Sequence, residues 1–311
     1  MMMREPLAFA GLRGTLARNA SLARHTSWRV GGTADLLYTP ADRDDLAAFL
    51  RGLPADAAIT VLGLGSNVLV RDGGIRGAVV LLHNPGAALA VADGLVYADA
   101  GVASPKLARF AALRGCANAE FLAGIPGTVG GALAMNAGCY GGETWTYVVR
   151  VETLSRLGRF DIRTSADFTL GYRTVLRRDG GPIDEIFTAA WFRFPIGDPA
   201  AGRARIKTLL ARRIATQPLA LPNAGSVFRN PAGDHAARLI EACGLKGFRI
   251  GGAHVSEMHA NFIVNAQRQA TASDIERLIA HVRDVVRTRA GVDLEPEVRI
   301  LGEARDFAKT A

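Results

Sequence analysis

The sequence predicts an α+β protein of two domains. Three observations carry that reading. The chain has 311 residues, more than a single hydrophobic core usually serves. Segments with apolar residues at helical spacing are interleaved with short β-branched runs. Pro195-Ile196-Gly197-Asp198-Pro199 then interrupts both patterns and marks a boundary. A first part at 1–198 is expected, then a smaller one at 199–303 and a tail at 304–311.

Taken in order, Asp42 to Leu50 reads as a helix after Pro40, with Leu46, Phe49 and Leu50 on one face. Ala58 to Leu64, Asn67 to Val70, Ala78 to Leu82 and Leu95 to Ala98 read as strands. Ser104-Pro105 offers N-cap and N1 chemistry for a helix that carries Leu107, Phe110 and Ala111 and ends near Gly115. Tyr147 to Leu154, Gly158 to Ile162 and Glu185 to Phe194 are the next strands. In the second part, Arg203 to Thr216 is helical, with Ile206, Leu209, Leu210 and Ile214 inward and Gln217-Pro218 as its stop. Asp234 is expected to cap a helix that runs to Cys243, with Gly244 ending it. Ser273 and Glu276 form a capping-box pattern for the clearest helix, where Ile275, Leu278, Ile279, Val282, Val285 and Val286 recur until Gly291. Phe262 to Asn265 and Glu297 to Leu301 are strand-like.

Composition narrows the class. Hydrophobic residues make up 49% and charged residues 21%, as in globular enzymes and unlike disordered chains. Cys116, Cys139 and Cys243 are scattered and form no CxxC pair, so neither a disulfide framework nor a zinc site is expected. A reducing cytoplasm fits this cysteine usage. Met1 to Leu12 lacks the apolar core of a signal peptide, and no run is long enough to span a membrane. The net charge is +8, but its arginines are spread along the chain rather than gathered in a stripe with aromatics. That pattern argues against nucleic acid and suits small phosphorylated ligands. The six histidines show no metal spacing, so no metal is expected; His254 and His259 read as structural or substrate-facing.

The densest motif is Gly124 to Glu143, with glycine at 124, 127, 130, 131, 138, 141 and 142. Ile125, Val129, Leu133 and Met135 alternate with these glycines, so the stretch is folded rather than a linker. Two readings stand: backbone laid open to a flat phosphorylated cofactor, or a tight turn in a buried sheet. Gly63-Leu64-Gly65-Ser66-Asn67-Val68 resembles a dinucleotide fingerprint, but Val68 replaces the third glycine and a strand follows where a helix is needed. It is a strand–loop–strand turn, either ordinary or a nest able to hold a pyrophosphate. Gly225-Ser226-Val227-Phe228-Arg229-Asn230-Pro231 groups a hydroxyl, a guanidinium and an amide, suited to phosphate or carboxylate or simply a polar turn. Gly171-Tyr172-Arg173 sets an arginine beside an aromatic, and Glu295 and Glu297 lie near the chain end, Glu297 at the start of an apolar strand.

Together these segments resemble the UDP-N-acetylenolpyruvoylglucosamine reductase family. The matching stretches are Thr26 to Gly32, Leu62 to Leu69, Gly124 to Glu143, Gly171 to Arg173, Ala224 to Pro231, Gly244 to Gly247, Ser256 to Asn265 and Leu294 to Gly302, in the family's order over roughly 20–303. The resemblance implies a vanillyl-alcohol-oxidase-type (PCMH-type) FAD-binding domain in two subdomains, broken near 70–75, plus a smaller α+β substrate-binding domain. It implies noncovalent FAD, because Arg71-Asp72-Gly73-Gly74 is followed by Ile75 and not by a histidine. FAD contacts would come from Gly63, Gly65, Ser66, Asn67, Ile125, Pro126, Gly127, Thr128, Gly130 and Gly131. The implied reaction reduces the enolpyruvyl ether of UDP-N-acetylglucosamine with NADPH, in peptidoglycan precursor synthesis. By motif, Arg173 and Glu297 would meet the developing charge and Ser226 would donate the proton. Asn136, Tyr140, Arg229 and Asn230 would contact substrate. A cytoplasmic monomer is implied, with no nucleic-acid or membrane partner. Arg229 stands where the family often has lysine, and the short stretch between Arg173 and Pro199 lacks the tyrosine-bearing loop of one subgroup. A sugar or lactone oxidase on the same fold, or a nucleotide-sugar binder without catalysis, are the alternatives.

Overall fold

The protein is described here by a computed structural model covering residue 9 and residues 11–305. The start of the stretch read for targeting signals and the tail beyond 305 lie outside the described residues. The chain divides into two compact units, and the division is not a single cut. One unit holds the chain up to Arg18, Leu36–Gly63 and Gly77–Leu209; the other holds Asn19–Asp35, Leu64–Arg76 and the chain from Leu210 on. The expected boundary at 198/199 is thus replaced by one after Leu209, inside a helix spanning Pro199–Thr216.

The first unit carries a five-stranded antiparallel sheet in the order Phe160–Arg163, Val148–Leu154, Ile186–Phe192, Leu95–Asp99, Leu89–Ala92. Val151 sits opposite Arg163 on one side and Ala190 on the other. Ile59–Leu62 pairs in parallel with Ile75–Leu81, aligning Ile59 with Ala78. Helix α1, Arg43–Arg51, begins where the Asp42 carboxylate accepts from the Asp45 amide. It lays Leu46, Phe49 and Leu50 against Leu36, Tyr38, Ala78, Val80 and Leu154. Helix α2, Ser104–Leu113, follows. Its N-cap is Ala103 rather than the expected Ser104, whose buried hydroxyl makes no hydrogen bond among the described residues. Helix α3, Val129–Met135, lies inside the glycine run and was not legible there, since Gly130 and Gly131 are poor helix formers. Thr128 nucleates it by accepting the Gly131 amide at 3.3 Å.

The second unit is built on helix α6, Ala272–Ala290, with α5, Ala236–Ala242, and the part of α4, Pro199–Thr216, from Leu210 on. Ile275, Leu278, Ile279, Val282 and Val286 of α6 pack with Leu239 and Ile240 of α5, and with Trp28 and Leu69 from the two early segments. Val68–Val70 pairs in parallel with Arg299–Leu301, and the Trp28 indole donates to Ile263 O at 2.8 Å. These contacts explain why Asn19–Asp35 and Leu64–Arg76 group with the chain's C-terminal third. Two expected caps also shift. The α6 capping box is Thr271 with Asp274, not Ser273 with Glu276: Thr271 has the extended backbone a cap needs, and Glu276 is engaged with Arg71 at 2.7 Å. His235, not Asp234, is the N-cap of α5; Asp234 is ion-paired with Arg238.

Candidate functional site

The candidate residues fall into two sets, one on each unit. In the first unit, Gly63 ends the strand Ile59–Leu62 and lies against Thr128. A Cβ at Gly63 would overlap Thr128 Oγ1, so the start of the fingerprint-like turn and the cap of α3 adjoin. Ile125, Thr128 and Val129 are buried, whereas Pro126 and Gly131 are exposed. The glycines of this run do different work. A Cβ at Gly124 would press into Cys139 and Tyr140, and one at Gly142 into the Phe121 ring. Gly130 gives its amide to Ala100 O and Gly131 to Thr128 Oγ1, so these two glycines do not leave their N–H groups bare. The amides of Gly127 and Thr128 meet no acceptor among the described residues.

Arg173 sits at the tip of a hairpin formed by Phe168–Gly171 and Thr174–Arg177. Its φ is 54°, a left-handed backbone that costs a non-glycine residue about 1 kcal/mol or more. The guanidinium lies over the Tyr172 ring and donates from Nη2 to Gly138 O at 2.8 Å. Asn136, the left-handed C-cap of α3, is 4% exposed and bonded to Glu143, Gly171 and Trp145. Tyr140 donates its hydroxyl to Leu209 O at 2.9 Å.

In the second unit, Gly65 has φ 62°, and a Cβ there would run into the His25 carbonyl. The Ser27 amide donates to Gly65 O at 3.0 Å, and the Ser27 hydroxyl beside it is buried with no partner among the described residues. Gly65 and Ser66 keep their amides unbonded among the described residues. Ser27 carried no expectation from the sequence; its only signal was its place in the stretch Thr26 to Gly32. Open amides, an orphaned hydroxyl and a backbone that tolerates no side chain make a cradle that fits a pyrophosphate. Gly65 and Ser66, beside Ser27, therefore fit the pyrophosphate of the expected flavin.

Backbone pairing lays the segment after Ser226 against residues 295–297, with Val227 opposite Glu297. Phe228 bridges Pro296 in antiparallel fashion, Glu297 donates its amide to Val227 O at 2.7 Å, and Arg229 donates its own to Glu295 O at 2.9 Å. Both Ser226 and Glu297 are half-buried. Asn261 locks the segment after Ser226, accepting from the Phe228 amide and donating to the Phe228 carbonyl at 2.9 and 2.8 Å. Asn67 Nδ2 donates to the Glu297 carbonyl at 3.2 Å, and Arg299 donates to Asn67 O. The fingerprint-like turn is thus tied to the Glu297 strand. Arg229 is ion-paired with the exposed Glu295 at 3.1 Å, and Asn230 Oδ1 accepts the Ala236 amide at the start of α5. His259 is held below its ordinary pKa by burial, with its ring against Phe262; His254 is lowered by burial and by Arg249. Among the described residues no helix is long and apolar enough to cross a membrane.

Comparison with known proteins agrees with this geometry. Residues 34–160 match the FAD binding domain family, and residues 217–301 match the UDP-N-acetylenolpyruvoylglucosamine reductase, C-terminal domain, family. The chain is 58% identical to the UDP-N-acetylenolpyruvoylglucosamine reductase of Thiobacillus denitrificans over 307 residues, 94% of each chain. It is 58% identical to that of Methylococcus capsulatus, covering 98% of this chain and 100% of the other. The crystal structure of the Thermus caldophilus reductase superposes with a TM-score of 0.77 at 31% identity, over 93% of this chain and 99% of that one. The chain belongs to the UDP-N-acetylenolpyruvoylglucosamine reductase family.

Proposed function

We propose that this enzyme reduces UDP-N-acetylglucosamine enolpyruvate to UDP-N-acetylmuramate in the cytoplasm, with NADPH as reductant and noncovalent FAD as cofactor. The observation that supports the residue assignment is the pairing of Val227-Phe228, next to Ser226, with Pro296-Glu297. FAD, when bound, carries hydride from NADPH to the terminal carbon of the enolpyruvyl group. Residues 63–67 would hold its pyrophosphate and residues 125–131 its ring system.

The protein's own groups manage charge and proton. Hydride arrival at the terminal carbon leaves an electron pair on the α carbon, shared with its carboxylate. Arg173, already cationic, receives that charge without having to gain a proton. Its guanidinium is preorganised by the bond to Gly138 O, so less reorganisation is needed at the moment of reaction. Ser226 donates the proton to the α carbon. A serine hydroxyl is a weak acid, so it serves only against a strongly basic, enolate-like carbon and must be reprotonated afterwards. Glu297 stands on the paired segment, where it would have to be protonated, or share a proton, to stabilise the carboxylate charge.

The test is an anaerobic absorption titration of the purified protein. A yellow protein that bleaches with NADPH and regains colour with the enolpyruvyl nucleotide sugar supports the reading. Bleaching that only oxygen reverses overturns it in favour of an oxidase.

A further inference from the structure

We infer that Asn136 is the positioning residue for Arg173 and not a contact to substrate. Asn136 closes α3 with φ 43° and is buried. Its amide is divided among three partners. Nδ2 donates to Glu143 Oε2 at 3.0 Å and to Gly171 O at 3.2 Å, and Oδ1 accepts from the Trp145 amide at 3.1 Å. Both N–H groups of the side chain are spent. Turning the amide toward a ligand would take a bond from each of three groups on two segments, 143–145 and 171, among them the buried Trp145 amide.

One of those bonds leads directly to Arg173. Gly171 pairs with Thr174 to close the hairpin whose tip is Tyr172-Arg173. Asn136 grips the hairpin by the Gly171 carbonyl. Two residues past Asn136, Gly138 offers its carbonyl to Arg173 Nη2 at 2.8 Å. The two bonds run in opposite directions between 136–138 and 171–173, so the hairpin is held at its backbone and at its guanidinium. Gly138 permits this closeness: a Cβ there would lie 3.2 Å from Arg173 Nη1 and 3.2 Å from Glu143 Cγ. Arg173 is itself in a left-handed backbone, which persists only where surrounding structure enforces it. Asn136 supplies that enforcement. It also stands at the end of a helix whose cap, Thr128, belongs to the flavin-facing run. One short helix thereby sets the spacing between that run and the arginine.

The inference rests on the reading of Arg173 as the group that receives the carboxylate charge. The experiment is a double-mutant cycle on FAD-loaded, NADPH-reduced enzyme, following reoxidation by the enolpyruvyl nucleotide sugar in single turnovers. Asn136→Ala removes the amide, and Asn136→Gly does the same while accommodating the left-handed backbone. Each is expected to slow reoxidation about tenfold to a hundredfold, with substrate affinity for the oxidised enzyme changed less than about threefold. In the Arg173→Ala background neither should cause a further loss. The same fold-loss in both backgrounds would overturn the inference, as would a rise in substrate dissociation constant that accounts for the whole effect. Equal slowing of flavin reduction and reoxidation would reduce Asn136 to a fold residue. Undiminished reoxidation in Arg173→Ala alone would remove the Arg173 assignment, a result distinct from the others.

Discussion

Gly63 lies directly against Thr128, with no room between them for a methyl group. Both residues were expected at the flavin, from motifs far apart in the sequence, and the fold makes them neighbours. Gly63→Ala should push Thr128 out of its capping rotamer and cost about 1–3 kcal/mol. Thr128→Ala alone should cost about 1 kcal/mol through the lost cap. In the double variant the two costs should be less than additive, by about 0.5 kcal/mol or more, in urea unfolding. Strict additivity would mean that the two side chains do not compete for one space.

Ser226→Ala should leave reduction by NADPH within about twofold and slow the sugar-dependent half by at least about a hundredfold. Stopped-flow absorbance separates the two halves. Equal loss in both would sink the proton-donor assignment.

Asp72 provides a stability test. Its carboxylate accepts the Ala272 and Ser273 amides at 3.0 and 2.9 Å, adding a second cap to α6 beside the Thr271 box. Asp72→Ala should cost about 1–2 kcal/mol and lower Tm by several degrees. An unchanged melting curve would show that the Thr271 box suffices.

Acid should reveal Asp45. Burial alone would push its carboxyl up, but the Tyr38 hydroxyl and the Arg13 and Ala41 amides outweigh that and hold it below the ordinary range. Its folded pKa therefore lies below its unfolded value of about 4. Its contribution is complete above that value and is lost as pH falls through the folded pKa. The difference in urea midpoint between wild type and Asp45→Asn should be constant from pH 7 to 5 and shrink below about pH 4. A difference independent of pH would point to packing rather than ionisation.

Long periodic elements were legible in the sequence: α1 and α6 appear where their apolar spacing placed them. Short elements were not. Thr15–Ser21 is exposed or half-exposed throughout, so it shows no clean alternation, and α3 is hidden among glycines. The site was legible as separate motifs but not as an arrangement. Nothing in the sequence says that Val227 lies opposite Glu297, because backbone pairing across a long separation leaves no local pattern. Asn136 shows the converse problem. A polar side chain beside glycines looks ready for a ligand until the fold shows its amide already occupied.

The grouping of Leu64–Arg76 with the C-terminal third governs how this chain can be born. Val68–Val70 leaves the ribosome long before its partner Arg299–Leu301 exists. Trp28 and Leu69 must wait equally long for α6. The second unit cannot complete its core until translation is nearly finished, and its closing contacts are of high contact order. A nascent chain stalled before α6 would leave that indole and leucine without their core, a substrate for chaperones rather than a half-finished enzyme.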